Sequence, residues 1–77
     1  MPEISKNIQI YEKQFGILAI QKGFISQDKL MQALNIQVNE DMEGLKHRLI
    51  GEILLDIDYI TAGQIQEILN IMFNKKI

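Results

Sequence analysis

Apolar residues in this chain recur at spacings of three and four, and the pattern occurs twice. Tyr11, Phe15, Leu18 and Ala19 mark one face of a helix over about 8 to 22. Gly23 ends it, because glycine just past a helix takes the left-handed conformation at little cost. Ile25-Ser26 opens the next helix: Ser26 is an N-cap, and Ile25 can staple onto Leu30, four residues after the cap. Leu30, Ala33, Leu34 and Gln37 form its face, and it ends near residue 39. Asn39-Glu40-Asp41 then reads as a short polar linker whose acidic groups suit the positive end of a following helix. A third helix is predicted over about 42 to 57, on Met42, Leu45, Leu49, Ile53 and Ile57. Asp58 stands where the first half has Gly23. Thr61 replaces Ser26 as the cap, and Gln64 completes a capping box. The fourth helix carries Ile65, Ile68, Leu69, Met72 and Phe73, with Lys75 and Lys76 at its negative end.

The two halves superpose at an offset of 35 residues. Gly16 falls on Gly51, Phe24-Ile25-Ser26 on Tyr59-Ile60-Thr61, and Leu34-Asn35-Ile36 on Leu69-Asn70-Ile71. Such a period marks a supersecondary unit that cannot bury its apolar face alone and must pack on a copy of itself. The expected fold is all-α: four helices formed by two tandem helical hairpins, packed as a small bundle. Residues 1–77 make one domain, with an N-terminal tail over 1–7, repeat one at about 14–38 and repeat two at about 49–73.

Composition narrows the functional classes. The chain has 77 residues, 47% of them hydrophobic, which is too apolar for a disordered segment. It has no cysteine, so neither a disulfide nor a thiolate site enters the picture. Met1 to Lys6 contain no apolar run of the signal-peptide kind. No uninterrupted apolar stretch approaches the ~18 residues a membrane span needs. A formal net charge of −2 with eight Lys and Arg suits bulk nucleic acid poorly. A DNA-reading helix over Gln27 to Gln37 would hold one Lys, one Asp and no Arg, too few phosphate contacts.

Few residues suggest chemistry. His47 is the only histidine and is flanked by Lys46 and Arg48; it reads as part of a solvated basic face on the third helix. One histidine without cysteine supports neither a metal site nor a nucleophilic triad. Glu40, Asp41 and Glu43 lack the ligand spacing and turn glycine of a calcium loop, so a solvated linker is the simpler reading. No enzymatic activity is expected. Gly16 and Gly51 lie inside helices, where glycine costs about 1 kcal/mol relative to alanine. Their recurrence implies either close helix approach or close approach of a ligand or partner backbone.

The unit Phe15-Gly16, Ile20, Gly23-Phe24-Ile25, Leu30, Leu34 and Gln37 resembles the repeat of the MshEN-type domain. That domain forms the N-terminus of type II secretion and type IV pilus assembly ATPases. The resemblance covers residues 14 to 73. It implies a docking module for assembly partners or, in one branch of the family, a receptor for cyclic di-GMP. Gly16, Gly23, Leu30, Leu34 and Gln37 match the family pattern. The opening Arg of the pattern falls on Gln14, and its Leu on Phe15. In the second copy Leu49 stands at the Arg position, with Arg48 one residue earlier. Asp58 replaces the interior Gly and Met72 the closing Gln. Loss of both Arg positions removes the usual strong partners of phosphate.

Two functions follow as expectations. The first is a small cytoplasmic, non-catalytic interaction or regulatory module that needs no cofactor or metal. It would dock a protein partner or a second copy, without nucleic acid and without membrane insertion. Ile17, Ile20, Met31, Ile36 and Ile71 lie partly off the core stripes; a domain this small cannot easily bury them all, and some are expected to form an exposed apolar patch. The second is a cyclic di-GMP receptor with an altered motif. The resemblance then implies a site of Gln14, Phe15, Gly16, Leu30, Leu34, Gln37, Arg48 and Gly51.

Overall fold

The computed structural model describes residues 2–73, with side chains from residue 10 onward. The helices are α1 (Pro2–Gln21), α2 (Gln27–Met42), α3 (Ile50–Asp56) and α4 (Ala62–Phe73). There is no strand among the described residues. The protein is all-α, built from two tandem helical hairpins, α1–α2 and α3–α4.

Both hairpin turns use one device. Gly23 sits at φ +78° and Asp58 at φ +63°, the left-handed region. In the first turn the Gly23 N–H donates to Ile20 O at 2.9 Å and the Phe24 N–H to Ala19 O at 2.9 Å. In the second, the Asp58 N–H donates to Leu55 O at 3.1 Å and the Tyr59 N–H to Leu54 O at 2.9 Å. This nested pair satisfies carbonyls that a helix end would otherwise leave open. The caps that follow also match. Ser26 Oγ accepts from the Lys29 N–H at 3.2 Å. Thr61 Oγ1 accepts from the Gln64 N–H at 3.1 Å, while Gln64 Oε1 accepts from the Thr61 N–H at 3.0 Å.

The middle of the chain departs from expectation. The helix predicted over about 42 to 57 is confined to Ile50–Asp56, and α2 runs on to Met42 instead of ending near 39. The cause is Gly44, at φ +77°. Its N–H donates to Asp41 O and the Leu45 N–H to Glu40 O, the same helix-ending pair used in the turns. Met42, Leu45 and Leu49, assigned to an apolar face, are instead exposed. Glu40 and Asp41 belong to the last turn of α2, not to a linker. Residues 2–7, expected as a tail, are the start of α1, and Pro2 is compatible with a first helical position. The pairing of Lys75 and Lys76 with the last helix falls outside the described residues.

The backbones in closest contact are α2 with α3, α1 with α4, and α1 with α3. Exchanging the two copies turns the α1–α4 contact into α3–α2 and leaves α1–α3 unchanged, so the copies are related by an approximate twofold. Each second helix packs on the other copy's first. Polar contacts repeat the scheme: Tyr59 Oη donates to Gln32 Oε1 at 2.7 Å, and Lys22 Nζ lies 3.1 Å from Glu67 Oε2.

The core carries the repeat most plainly. Phe15, Ala19, Ile25, Ala33, Ile50, Ile53, Leu54, Ile60 and Ile68 are buried. Eight of these nine form four pairs at the repeat offset: Phe15/Ile50, Ala19/Leu54, Ile25/Ile60 and Ala33/Ile68. Ile53 is the ninth, and its counterpart Leu18 packs partly buried against the same cluster. The copies are complementary in volume rather than identical. Where the first copy has alanine the second has leucine or isoleucine, while Phe15 outsizes Ile50. Close packing needs this kind of large-to-small interlock.

The two left-handed positions make opposite predictions. Asp58→Gly is expected to raise stability by about 1 kcal/mol, because it relieves a side chain held at positive φ. Gly23→Val is expected to lower stability by more, since β-branched residues are outliers there. No atom lies within 4 Å of a Cβ added at Gly23, so the strain would come from the backbone alone. Urea melts should show midpoints shifted in opposite directions.

Candidate functional site

Gly44 ends α2 and forces the chain to cross to α3 without a helix. That crossing, 45–49, is stitched down by side chains. The Gln37 Nε2 amide donates to Glu12 Oε1 at 2.9 Å and to the Arg48 backbone carbonyl at 2.8 Å. Gln37 is the buried polar residue of the core, 8% exposed. Arg48 forks onto Glu40, Nη2 to Oε2 at 2.7 Å and Nε to Oε1 at 3.1 Å, and reaches Asp56 Oδ2 at 3.4 Å. His47 Nδ1 lies 3.0 Å from Asp41 Oδ1, and its Nε2 lies 3.5 Å from Glu12 Oε2. The Leu49 N–H donates to Glu52 Oε1 at 2.8 Å, which anchors the start of α3.

Electrostatics follow from these contacts. Hydrogen bonding to Asp41 holds the His47 imidazole above its ordinary value, with Asp41 and Glu12 charges adding to it and burial opposing. The Arg48 fork holds the Glu40 carboxyl below the usual range. Glu12 Oε2 is buried without a hydrogen bond, and an imidazolium at His47 places a positive charge beside it. His47, Arg48, Glu40 and Asp41 are thus one ion-paired seam, where a basic helix face and a solvated linker were expected.

Two depressions flank Glu12 and are related by the repeat. One, of about 330 Å³, is lined by Gly16, Leu30, Leu34 and Gln37, with Glu12, Lys13, Ile17 and Ile50. The other, of about 490 Å³, is lined by their counterparts Gly51, Ile65, Leu69 and Met72, with Phe15 in the place of Ile50. Tyr11, Leu49, Leu55 and Phe73 widen this second one into an open apolar groove. Phe73 is 60% exposed and meets Tyr11 edge to face, centroids 5.4 Å apart.

Four of the eight candidate site residues therefore share one depression: Gly16, Leu30, Leu34 and Gln37. Gly51 and the buried Phe15 lie at the other groove. Gln14 borders a shallow hollow with Ile17, Leu18, Ile71 and Met72. Arg48 borders a further, open depression with Lys46, His47, Glu52, Leu55 and Asp56. Both interior glycines mark close approach. A Cβ on Gly16 would come within 3.0 Å of Leu30 Cδ2, and one on Gly51 within 3.1 Å of Phe15 Cζ. Of the residues expected off the core, Ile17, Met31 and Ile71 are exposed, whereas Ile20 and Ile36 pack against it.

Sequence reasoning missed the groove walls Tyr11, Leu49, Leu55 and Phe73, and the pairing of Glu12 with His47. The repeat offset held a signal for the pair, since Glu12 and His47 occupy equivalent positions. Among the described residues no group of acidic or His side chains can hold a metal ion, and no helix is long and apolar enough to cross a membrane. No protein-family model matches the chain, and no similar curated protein or solved structure is found.

Two predictions follow from the seam. Gln37→Met, which copies Met72 into the first repeat, should destabilise the fold by about 1–3 kcal/mol in urea melts. It leaves Glu12 Oε1 and the Arg48 carbonyl without their donor. Because the His47 value is raised above 6.5, its contribution to stability is fully present below that pH and fades as pH rises through the raised value. His47→Asn should flatten the pH dependence of the urea midpoint across that window.

Proposed function

We propose that this chain is a small non-catalytic interaction module that docks a protein partner in the groove between α1, α3 and α4. The observation that carries this reading is the groove itself. It is about 490 Å³ in volume, with a floor of Phe15, Ile50, Ile65, Leu69 and Met72 and rims of exposed Tyr11, Leu49, Leu55 and Phe73. Exposed apolar surface of this kind is a mark of interaction sites. The resemblance to the N-terminal domains of secretion and pilus ATPases supports the same reading, a cytoplasmic docking module in bacteria.

A second reading, a cyclic di-GMP receptor, draws on the gathering of Gly16, Leu30, Leu34 and Gln37 around the smaller depression, with Lys13 as its cation. It is the weaker of the two. Glu12 shares that depression, and a carboxylate repels phosphate. Gln37 is engaged by Glu12 and the Arg48 carbonyl, and the Arg48 guanidinium by Glu40 and Asp56.

A photo-crosslinking residue at Phe73 or Leu55, in cells of the source organism, should give one discrete protein adduct. The same residue at Lys22, on the opposite turn, should give none. If no protein is captured from either groove position, docking there is wrong. Calorimetric titration with cyclic di-GMP decides the second reading: no heat at about 100 μM ligand ends it.

A further inference from the structure

We propose that Gly44 is the hinge of a hairpin exchange: in a second folded form α2 and α3 join as one helix, and two copies of the chain trade their α3–α4 hairpins. The segment between α2 and α3 carries a helical pattern that the single chain does not use. Val38, Met42, Leu45 and Leu49 are exposed, and at about 100° per residue they fall in one narrow stripe of a continuous helix. Gly44 interrupts that helix at φ +77°, where its N–H donates to Asp41 O and the Leu45 N–H to Glu40 O. No proline and no second glycine lies between Met42 and Ile50, so nothing else in the segment forbids a helix.

A straight connection cannot close the core within one chain. A helix running from Gln27 to Asp56 is a rod about 45 Å long. It carries α3 away from α2, yet the core needs α3 against both α2 and α1. A second chain supplies that contact unchanged, because each hairpin buries its stripe against the other hairpin whichever chain carries it. Each half of the exchanged dimer is then the single-chain fold with a hairpin from each copy, and only the crossing at 43–49 is rebuilt.

The charges about Gly44 are self-complementary, which makes a second copy the partner of the exposed stripe. Glu40, Asp41 and Glu43 precede the glycine, and Lys46, His47 and Arg48 follow it. In the single chain the ion pairs Asp41–His47 and Glu40–Arg48 are each centred on Gly44. Two straight helices laid antiparallel about Gly44 set the acidic half of each against the basic half of the other. Asp41 and Arg48 flank the apolar stripe on the same side, so Asp41 of one copy faces Arg48 of the other while stripe covers stripe. The single-chain form keeps the Gln37 bond to the Arg48 carbonyl and spares the cost of a helical glycine, so it prevails when the chain is dilute.

The test refolds unlabelled and isotope-labelled full chain together from urea, as wild type and as Gly44→Ala. Alanine is strained in the left-handed turn and favoured in the helix, so Gly44→Ala should raise the dimerisation constant in sedimentation at least about tenfold. Gly44→Asn, which tolerates the turn, should raise it less. Adding Leu45→Lys to Gly44→Ala should lower it again by about tenfold, through a charge placed in the covered stripe. A carbodiimide, which joins an amine to an adjacent carboxylate, then links Lys22 to Glu67, whose charged groups lie 3.1 Å apart across the two hairpins. Mass spectrometry should find links between labelled and unlabelled chains in the dimer peak and none in the monomer peak. A Gly44→Ala chain that stays monomeric, or that loses its helix content in circular dichroism, overturns the inference. So does a dimer whose Lys22–Glu67 links all lie within one isotope, since its hairpins have not been exchanged. Equal rises for Gly44→Ala and Gly44→Asn, or indifference to Leu45→Lys, also overturn it.

Discussion

Each copy of the hairpin buries its apolar stripe against the other copy, and everything else in the fold depends on that contact. A lone hairpin of this length has nothing to cover Ile25 and Ala33, or Ile60 and Ile68. The dependence is sharpest at α3, which has seven residues. Helices that short do not hold in water, because nucleation is unfavourable and few hydrogen bonds repay it. Ile50, Ile53 and Leu54 are essentially fully buried against α1 and α2, and each such side chain contributes about 1.5–3 kcal/mol. Tertiary packing therefore makes α3 a helix, not the reverse.

The approximate twofold also explains where the copies had to diverge. Positions 12 and 47 are equivalent and meet near the axis relating the copies. Carboxylates at both would stand a few ångströms apart and repel. Glu12 opposite His47 turns that repulsion into attraction whenever the imidazole is charged, and Asp41 favours the charged form. Gln37 is a second break, since Met72 is its counterpart. Its amide joins α1 to the crossing chain, and that chain occurs once because the two copies are joined once. The polar seam is thus a consequence of tandem connection, placed where symmetry could not supply apolar cover.

Much of the fold was legible because the strongest signals were local and repeated. Gly23 and Asp58, the Ser26 and Thr61 caps, and the glycines at 16 and 51 each act within a few residues of themselves. The stretch from 42 to 49 was misread for a physical reason. Met42, Leu45 and Leu49 keep helical spacing, but Gly44 lies among them and takes a left-handed conformation, which outweighs the periodicity. Leu45 and Leu49 then lie on a non-helical segment, where helical spacing has no meaning. Tyr11 and Phe73 show a different limit. Both keep the period of their helices, yet they meet each other edge to face at the rim of the groove and stay exposed. The candidate site was legible only as far as the first repeat reaches: Gly16, Leu30, Leu34 and Gln37 do converge, while Gln14 and Arg48 face elsewhere. Ion pairing between distant segments, Arg48 with Glu40 above all, leaves no periodic trace.

The two depressions show how the copies of a repeated unit differ around equivalent glycines. In each, a helical glycine that costs about 1 kcal/mol relative to alanine leaves room for a packed side chain, so neither glycine is neutral filler. At Gly16 the space is taken by Leu30 of the same hairpin, and Gln37 closes the rim with hydrogen bonds. At Gly51 the phenyl ring of Phe15 arrives from the other copy and fills the floor from beneath, while the rim stays apolar. The groove at Gly51 keeps Tyr11, Leu49, Leu55 and Phe73 exposed along its rim, because Met72 there offers no hydrogen-bonding group like that of Gln37.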